Sequence, residues 1–220
     1  MLLHATIVPP RSALDAVAHA IRSVERPVAP YVPAKGMFGR LGGRGIRTNA
    51  PAVVRPGAVE VIPSELVLLA IAGFRNVTSA DAVRLTAALN EAAQGWVSPT
   101  VQFAGGGVEA PGTSSGDRSL RTDIVGEVDG LRAVAQGVTQ CVERLGFFVD
   151  RRRFRSSLVV ATIAEGTPQS YVEAVVAALD DFRGDAWTVG SVSLMRLSFE
   201  LVPPGSTTMD TIRIGPRVAL

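Results

Sequence analysis

The chain has 220 residues, of which 47% are hydrophobic and 19% are charged, enough to bury the core of one large domain or two small lobes. The formal net charge of +2 does not demand a nucleic-acid partner. No apolar run approaches the roughly 20 residues of a membrane helix, and the N-terminus lacks the pattern of a signal peptide, so we expect no membrane association and a cytoplasmic protein. The single cysteine, Cys141, excludes an internal disulfide and is expected to be inert core.

The chain opens with a strand followed by a helix. Residues 2–8 are rich in apolar side chains that alternate as in a strand, and two prolines then end it. Ser12 is predicted to cap the helix, with Asp15 at the third position as in a capping box. The apolar stripe of this helix consists of Leu14, Val17, Ala18 and Ile21.

Residues 27–58 break the pattern, because proline and glycine are dense there and no acidic residue occurs between Glu25 and Glu60. The stretch KGMFGRLGGRGIR is glycine-rich and basic, which predicts a long loop or an inserted segment. Its cations are candidates for binding RNA or another polyanion, because arginine–glycine segments bind phosphates electrostatically with little sequence preference. These cations are Lys35, Arg40, Arg44 and Arg47. A protein partner and a plain mobile loop remain the alternatives.

The rest of the chain alternates strands and helices. Strands are predicted at 65–72, 97–104, 120–128, 157–164, 189–202 and 209–214. Helices are predicted from a Thr78 cap with Asp81 at the third position, from Asp129 to Leu145, and after a Thr167 cap with Pro168 in the first turn. The three glycines at 105–107 are expected to end a strand or to bulge it. The two halves of the chain have similar element orders, which suggests two α+β lobes related by a duplication, each with helices on one face of a sheet.

Several stretches resemble the 2H phosphoesterase superfamily, the group of the 2′-5′ RNA ligases and cyclic phosphodiesterases. ERLGFF and RRFRSSLVVA, within residues 126–163, are similar to the family's second motif and the helix before it. LLHATIVPPRSALDAVAHAI, ELVLLAIAGFRNVT and SVSLMRLSFELVPPGS are similar to its first strand and helix, its first-motif strand and its closing strand. The resemblance implies an α+β fold with two pseudo-symmetric lobes of antiparallel sheet, flanked by helices, around a central groove. It implies one domain over residues 1–220, with an insertion at about 27–58.

In this family two His-x-Thr motifs face each other across the groove. One histidine acts as general base and the other as general acid, while the threonines help to hold the phosphate. The resemblance places the first histidine and threonine at Leu66 and Leu68, and the second pair at Ser157 and Val159. Both histidines are thus replaced, which implies that the family's hydrolysis is lost and that no catalytic residue remains.

Two arginines beside the second motif, Arg153 and Arg155, could still hold a phosphate, because a guanidinium matches phosphate geometry. Their alternative role is solvated surface. His4 is expected to be structural, and no metal cluster or cofactor motif is visible in the sequence.

The sequence therefore predicts a catalytically inactive 2H phosphoesterase-like protein that binds RNA or a nucleotide phosphate. A protein-interaction scaffold that uses the groove or residues 27–58 is the first alternative. The second is a divergent RNA 2′,3′-cyclic phosphodiesterase that uses His4, Glu65 or Ser157.

Overall fold

The computed structural model describes residues 2–26, 58–74, 77–109, 118–149, 154–198 and 205–216. Within them, nine strands and four α-helices follow one another as β1 (Leu3–Ile7), α1 (Arg11–Arg22), β2 (Val59–Val61), β3 (Leu69–Phe74), α2 (Ser79–Ala92), β4 (Thr100–Glu109), β5 (Arg118–Gly126), α3 (Val128–Arg144), β6 (Ser157–Ile163), α4 (Gln169–Asp180), β7 (Trp187–Thr188), β8 (Ser191–Ser198) and β9 (Gly205–Arg213). Two short 3-10 turns occupy Ser64–Leu66 and Ala93–Gly95. None of the helices in this part of the chain is both long and apolar enough to cross a bilayer.

The strands form two antiparallel sheets, with the orders β3-β1-β8-β9 and β2-β6-β5-β4-β7. Helices α2 and α3 pack against each other and against the first sheet, whereas α1 and α4 pack together against the second. This is the α+β fold of two sheet-and-helix lobes that the sequence predicted. The lobes do not correspond to the two halves of the chain, because β1 pairs with β8 and β5 pairs with β4.

The apolar faces of the helices are buried in the core. On α1 the stripe at 14, 17, 18 and 21 is buried as predicted. The largest fully buried side chains come from both lobes and include Phe74, Phe103, Leu131 and Leu179. They belong to one continuous cluster, so the two lobes share a single core.

The helix caps match the prediction only for α2. There Thr78 and Asp81 form a complete capping box. At α1 the capping position is Pro10, with ψ 138°, so Ser12 lies inside the first turn and caps nothing. At α4 the capping position is Pro168, and the Thr167 hydroxyl instead donates to the Ala164 carbonyl oxygen at 2.6 Å. In both cases a proline supplies the extended backbone that precedes the helix.

One predicted strand is displaced. The apolar run at 65–72 predicts strand throughout, but its first residues form the 3-10 turn Ser64–Leu66 and the strand runs over Leu69–Phe74. The turn follows Pro63, whose fixed φ favours the start of a helical turn. The other predicted strands are present with ends shifted by a few residues. Positions 199–202 of the long strand predicted at 189–202 lie outside the described residues.

The glycines at 105–107 create a bulge and do not end β4. The pairing of β4 with β5 shifts between Phe103 and Gly106, and Gly105 has a φ of 71°. A Cβ at Gly106 would lie 2.5 Å from the carbonyl oxygen of Arg121 and 3.1 Å from the Leu179 side chain. Only glycine therefore allows β5 and α4 to approach β4 this closely.

The outer strand of the first sheet, β9, is also irregular. Leu194 of β8 pairs with Asp210 and Met195 pairs with Thr208, so Met209 is an extra residue on β9. Its side chain is 46% exposed. Next to it, the Asp210 carboxylate accepts the backbone N–H of Thr211 at 2.7 Å.

Candidate functional site

A groove of about 850 Å³ is lined by residues of both sheets. The first sheet contributes His4 and residues 69–73 to its lining, and residues 66–68, just before β3, extend the same wall. The second sheet contributes residues 157–159 and Glu109. Side chains alternate between two faces along β3 and the residues before it, so that Val67, Leu69 and Ile71 are buried in the core. Leu68 and Ala70, which lie between them, are more exposed and belong to the groove wall.

The structure brings the four predicted motif positions together. Leu66, Leu68, Ser157 and Val159 all line this groove. Leu66 lies in the 3-10 turn and is 52% exposed, and Leu68 lies just before β3, so neither is on the strand that was expected to carry them. Their correspondence to the family's histidines and threonines stays a prediction.

The wall from the second sheet is formed by the exposed face of β6. Leu158 and Val160 are buried, whereas Ser157 and Val159, which alternate with them, face the groove. Ser157 is paired across the strands with Asp123 of β5. A hydroxyl is therefore present on this wall, beside a carboxylate on the neighbouring strand.

Arg155 is the predicted phosphate-binding residue that the structure describes, and it lines the groove. Its Nη1 forms an ion pair with the Glu109 carboxylate, while its side chain remains 73% exposed. Arg153 and the segment cations Lys35, Arg40, Arg44 and Arg47 lie outside the described residues.

His4 also lines the groove. It lies on β1, opposite Gly73 of β3 and Met195 of β8. The structure therefore brings His4 and Ser157, two of the three residues considered for a divergent hydrolase, to one cavity. The third, Glu65, is in the 3-10 turn and lines a separate cavity of about 280 Å³ against α1.

Sequence reasoning missed Arg121 and Asp123. Both side chains project from the same face of β5, since buried Leu120, Thr122 and Ile124 alternate with them. They form an ion pair and line a cavity of about 500 Å³ beside the groove. The strict alternation of this strand was the signal that could have placed them together.

The chemistry available in the groove is limited. Among the described residues that line it, the ionisable side chains are His4, Glu109 and Arg155, so it offers one imidazole. The described part of the chain holds no cluster of three potential metal ligands. Cys141 lies buried on α3, away from the groove lining. Burial raises the pKa of its thiol, the Arg144 charge opposes this and the Glu91 charge adds to it, so the thiol is a poor nucleophile at neutral pH.

Comparison with known proteins gives matches only at the level of structure. No protein-family model and no curated protein sequence matches the chain. Among solved structures, the TT0787 protein of Thermus thermophilus aligns with a TM-score of 0.61 and 15% identity over 99% of this chain and 100% of that one. Escherichia coli LigT with 3′-AMP aligns with a TM-score of 0.58 and 13% identity over 97% of each chain. A protein described as a phosphoesterase aligns with a TM-score of 0.54 and 14% identity, again over 97% of each chain.

The chain has the fold of the 2H phosphoesterases. The alignments extend over nearly the whole of each protein, which confirms the fold that the resemblance in sequence predicted. In this chain the 2H phosphoesterase-like fold has two lobes, with a groove lined by residues of both sheets. At this identity the comparison establishes the fold alone.

Proposed function

We propose that this protein binds a nucleotide, or the end of an RNA, in the groove and does not hydrolyse it by a two-histidine mechanism. The observation that carries the proposal is the groove lining. Among the described residues there, the imidazole of His4, the hydroxyl of Ser157 and the paired side chains of Arg155 and Glu109 accompany apolar side chains at 66, 68 and 159. General acid–base catalysis by two imidazoles requires a second one across the groove. Binding requires only the donors that are present. A cytoplasmic location belongs to the same proposal.

The phosphate would bind to Arg155 and Ser157, which line the same part of the groove. The ion pair with Glu109 uses Nη1 of the guanidinium, and an arginine carries five N–H donors. The remaining donors suit the oxygens of a phosphate, and the Ser157 hydroxyl adds one more hydrogen bond. Structures of Escherichia coli LigT with phosphate and with 3′-AMP support a ligand of this class in the fold.

The apolar wall suits the rest of a nucleotide. Leu66, Leu68 and Val159 offer a surface on which a ribose or a base can pack. Small-molecule sites are typically mostly apolar, with a few polar groups that fix the orientation of the ligand. The groove has this composition.

The first experiment is calorimetric titration of the protein with 3′-AMP and with 2′,3′-cyclic AMP, with the cyclic nucleotide afterwards analysed for hydrolysis. We expect binding without turnover. Arg155→Gln should weaken binding at least about tenfold, because a charge-assisted hydrogen bond contributes about 1.5–3 kcal/mol. Arg132→Gln is the matched control, because Arg132 also pairs with a carboxylate, that of Asp129 on α3, and does not line the groove.

Two results would contradict the proposal. Turnover of the cyclic nucleotide that disappears in His4→Ala would establish a divergent phosphodiesterase. Failure of both nucleotides to bind would leave the protein-interaction scaffold as the better hypothesis.

A separate part of the proposal concerns the basic, glycine-rich stretch KGMFGRLGGRGIR within residues 27–58. We propose that Arg40, Arg44 and Arg47 contact RNA phosphates electrostatically. When all three arginines are replaced by glutamine, the plot of log K against log salt for a single-stranded RNA should become shallower. Its slope should decrease in magnitude by up to about two units. Mononucleotide affinity should stay unchanged in that variant, and an unchanged salt dependence would contradict the assignment.

A further inference from the structure

A second cavity, of about 500 Å³, continues from the groove. It shares four lining residues with the groove, which are Glu109, Phe154, Arg155 and Ser157. Its own residues include Arg121 and Asp123 of β5. A volume of this size lies within the range of about 300–1,000 Å³ that small-molecule sites occupy. The cavity is therefore large enough for a part of the ligand that the groove does not hold.

The polar centre of this cavity is the ion pair between Arg121 and Asp123. The two side chains are 37% and 39% exposed, so both are half-buried on the cavity wall and neither is closed off from a ligand. The guanidinium lies near Gly107 of β4, where a Cβ would be 3.8 Å from its Nη2 atom. The pair presents hydrogen-bond acceptors on the carboxylate directly beside donors on the guanidinium.

This order of groups matches one nucleobase best. Along its Watson–Crick edge guanine presents two adjacent N–H donors, at N2 and N1, followed by the O6 acceptor. The two oxygens of a carboxylate accept from the two donors, and a neighbouring guanidinium donates to O6. Adenine and uracil do not have two adjacent donors on this edge, so they leave one carboxylate oxygen without a bond.

Phe154 provides a surface for the base. Its half-buried ring lines both the cavity and the groove. Bases stack on aromatic rings in a way that tolerates any sequence, so Phe154 would add affinity and Asp123 would add selectivity.

We propose that this cavity binds the guanine base of a nucleotide whose phosphate occupies the Arg155 and Ser157 site. The inference rests on the proposed function. Asp123 and Ser157 are directly opposite each other on β5 and β6, and side chains in that relation have Cβ atoms about 4.5–5.5 Å apart. The base site and the phosphate site are therefore neighbours on one wall.

The test is titration of the full chain with 3′-GMP, 3′-AMP, 3′-CMP and 3′-UMP at one salt concentration. We expect 3′-GMP to bind at least about fivefold more tightly than the other three, since a bidentate contact to a base typically discriminates by about 1–3 kcal/mol. Asp123→Asn should reduce the affinity for 3′-GMP to that for 3′-AMP and leave the affinity for 3′-AMP unchanged. Asp129→Asn is the matched control, since Asp129 is also paired with an arginine and lies on α3, outside both cavities.

The outcomes separate this inference from the proposed function. Equal binding of all four nucleotides would overturn the guanine site and leave the phosphate site intact. A preference for 3′-CMP would also overturn it, because the arginine would then be selecting the base. If none of the four binds, both the guanine site and the proposed function are wrong. Loss of binding of every nucleotide in Asp123→Asn alone would show a structural role for Asp123 and would contradict base selection.

Discussion

Single residues decide where the helices of this protein begin. The motif of Thr78 and Asp81 is a cap because Thr78 has extended backbone, with φ −80° and ψ 169°, and its hydroxyl accepts the Asp81 N–H at 3.1 Å. The motif of Ser12 and Asp15 has the same spacing, but Pro10 already supplies the extended residue two positions earlier. The two patterns are equivalent in sequence, and the backbone before each distinguishes them.

Replacement of these two residues by alanine should therefore have different effects. Thr78→Ala should lower the free energy of unfolding by about 1 kcal/mol, the usual loss for a cap. Ser12→Ala should change it by no more than about 0.5 kcal/mol, because Ser12 caps nothing. Urea denaturation of both variants measures the difference, and equal losses would mean that Ser12 contributes a cap after all.

The effect of Thr78→Ala should also depend on pH. The hydrogen bond from the Thr78 hydroxyl lowers the pKa of the Asp81 carboxyl from its ordinary value of 3.8. Burial opposes this shift, and the Thr78 backbone N–H and the Arg84 charge add to it. A lowered pKa stabilises the folded state above pH 3.8, and this stabilisation is lost as the pH falls through the folded value. The difference between wild type and variant should therefore narrow in acid, and a gap that stays constant to about pH 2 would contradict this coupling.

At the scale of elements, the sequence predicted the type of most helices and strands better than their ends. The apolar run at 65–72 satisfied the pattern of a buried strand, yet its first part is a turn and only Leu69 onward is strand. Apolar periodicity cannot separate a strand from the turn that leads into it when both are apolar. This error matters for the groove, because Leu66 enters it from a turn and not from a strand.

The bulge in β4 gives the sharpest prediction at this scale. Gly106→Ala would place a Cβ 2.5 Å from the backbone carbonyl oxygen of Arg121, which cannot move without disturbing β5. We expect a loss of about 1–3 kcal/mol in the free energy of unfolding, typical of overpacking. Gly190→Ala is the control, since nothing lies within 4 Å of its Cβ position. Similar denaturation midpoints for the two variants would show that the bulge can relax.

At the scale of the whole molecule, the strand order could not be obtained from the sequence. The repeated order of strands and helices suggested two lobes, and two lobes exist, but each sheet is completed by strands from both halves. Pairings such as β1 with β8 join residues that are far apart along the chain, as Leu3 with Arg196 shows. Local patterns carry no information about such contacts. The cavity beside the groove was missed for the same reason, because β4, β5 and β6 meet there only in the fold.

Because each sheet contains strands from both halves of the chain, neither half should fold when the chain is cut in two. Separate fragments of residues 1–113 and 114–220 should each lack a cooperative thermal transition, because each loses strands that pair at the centre of both sheets. Mixing the fragments should restore the transition. A sharp transition in either fragment alone would show that a half of the chain folds independently.

The irregular outer strand β9 has a consequence for behaviour at high concentration. A sheet that ends in a long, regular strand offers a template on which further copies can add, which leads to fibrils. In β9 the extra residue at Met209 bends the strand, and the carboxylate of Asp210 occupies the N–H of Thr211. A second chain that paired with this edge would face a bent strand in which one backbone N–H is already hydrogen-bonded. The irregularity thus makes this edge a poor template for the addition of further strands.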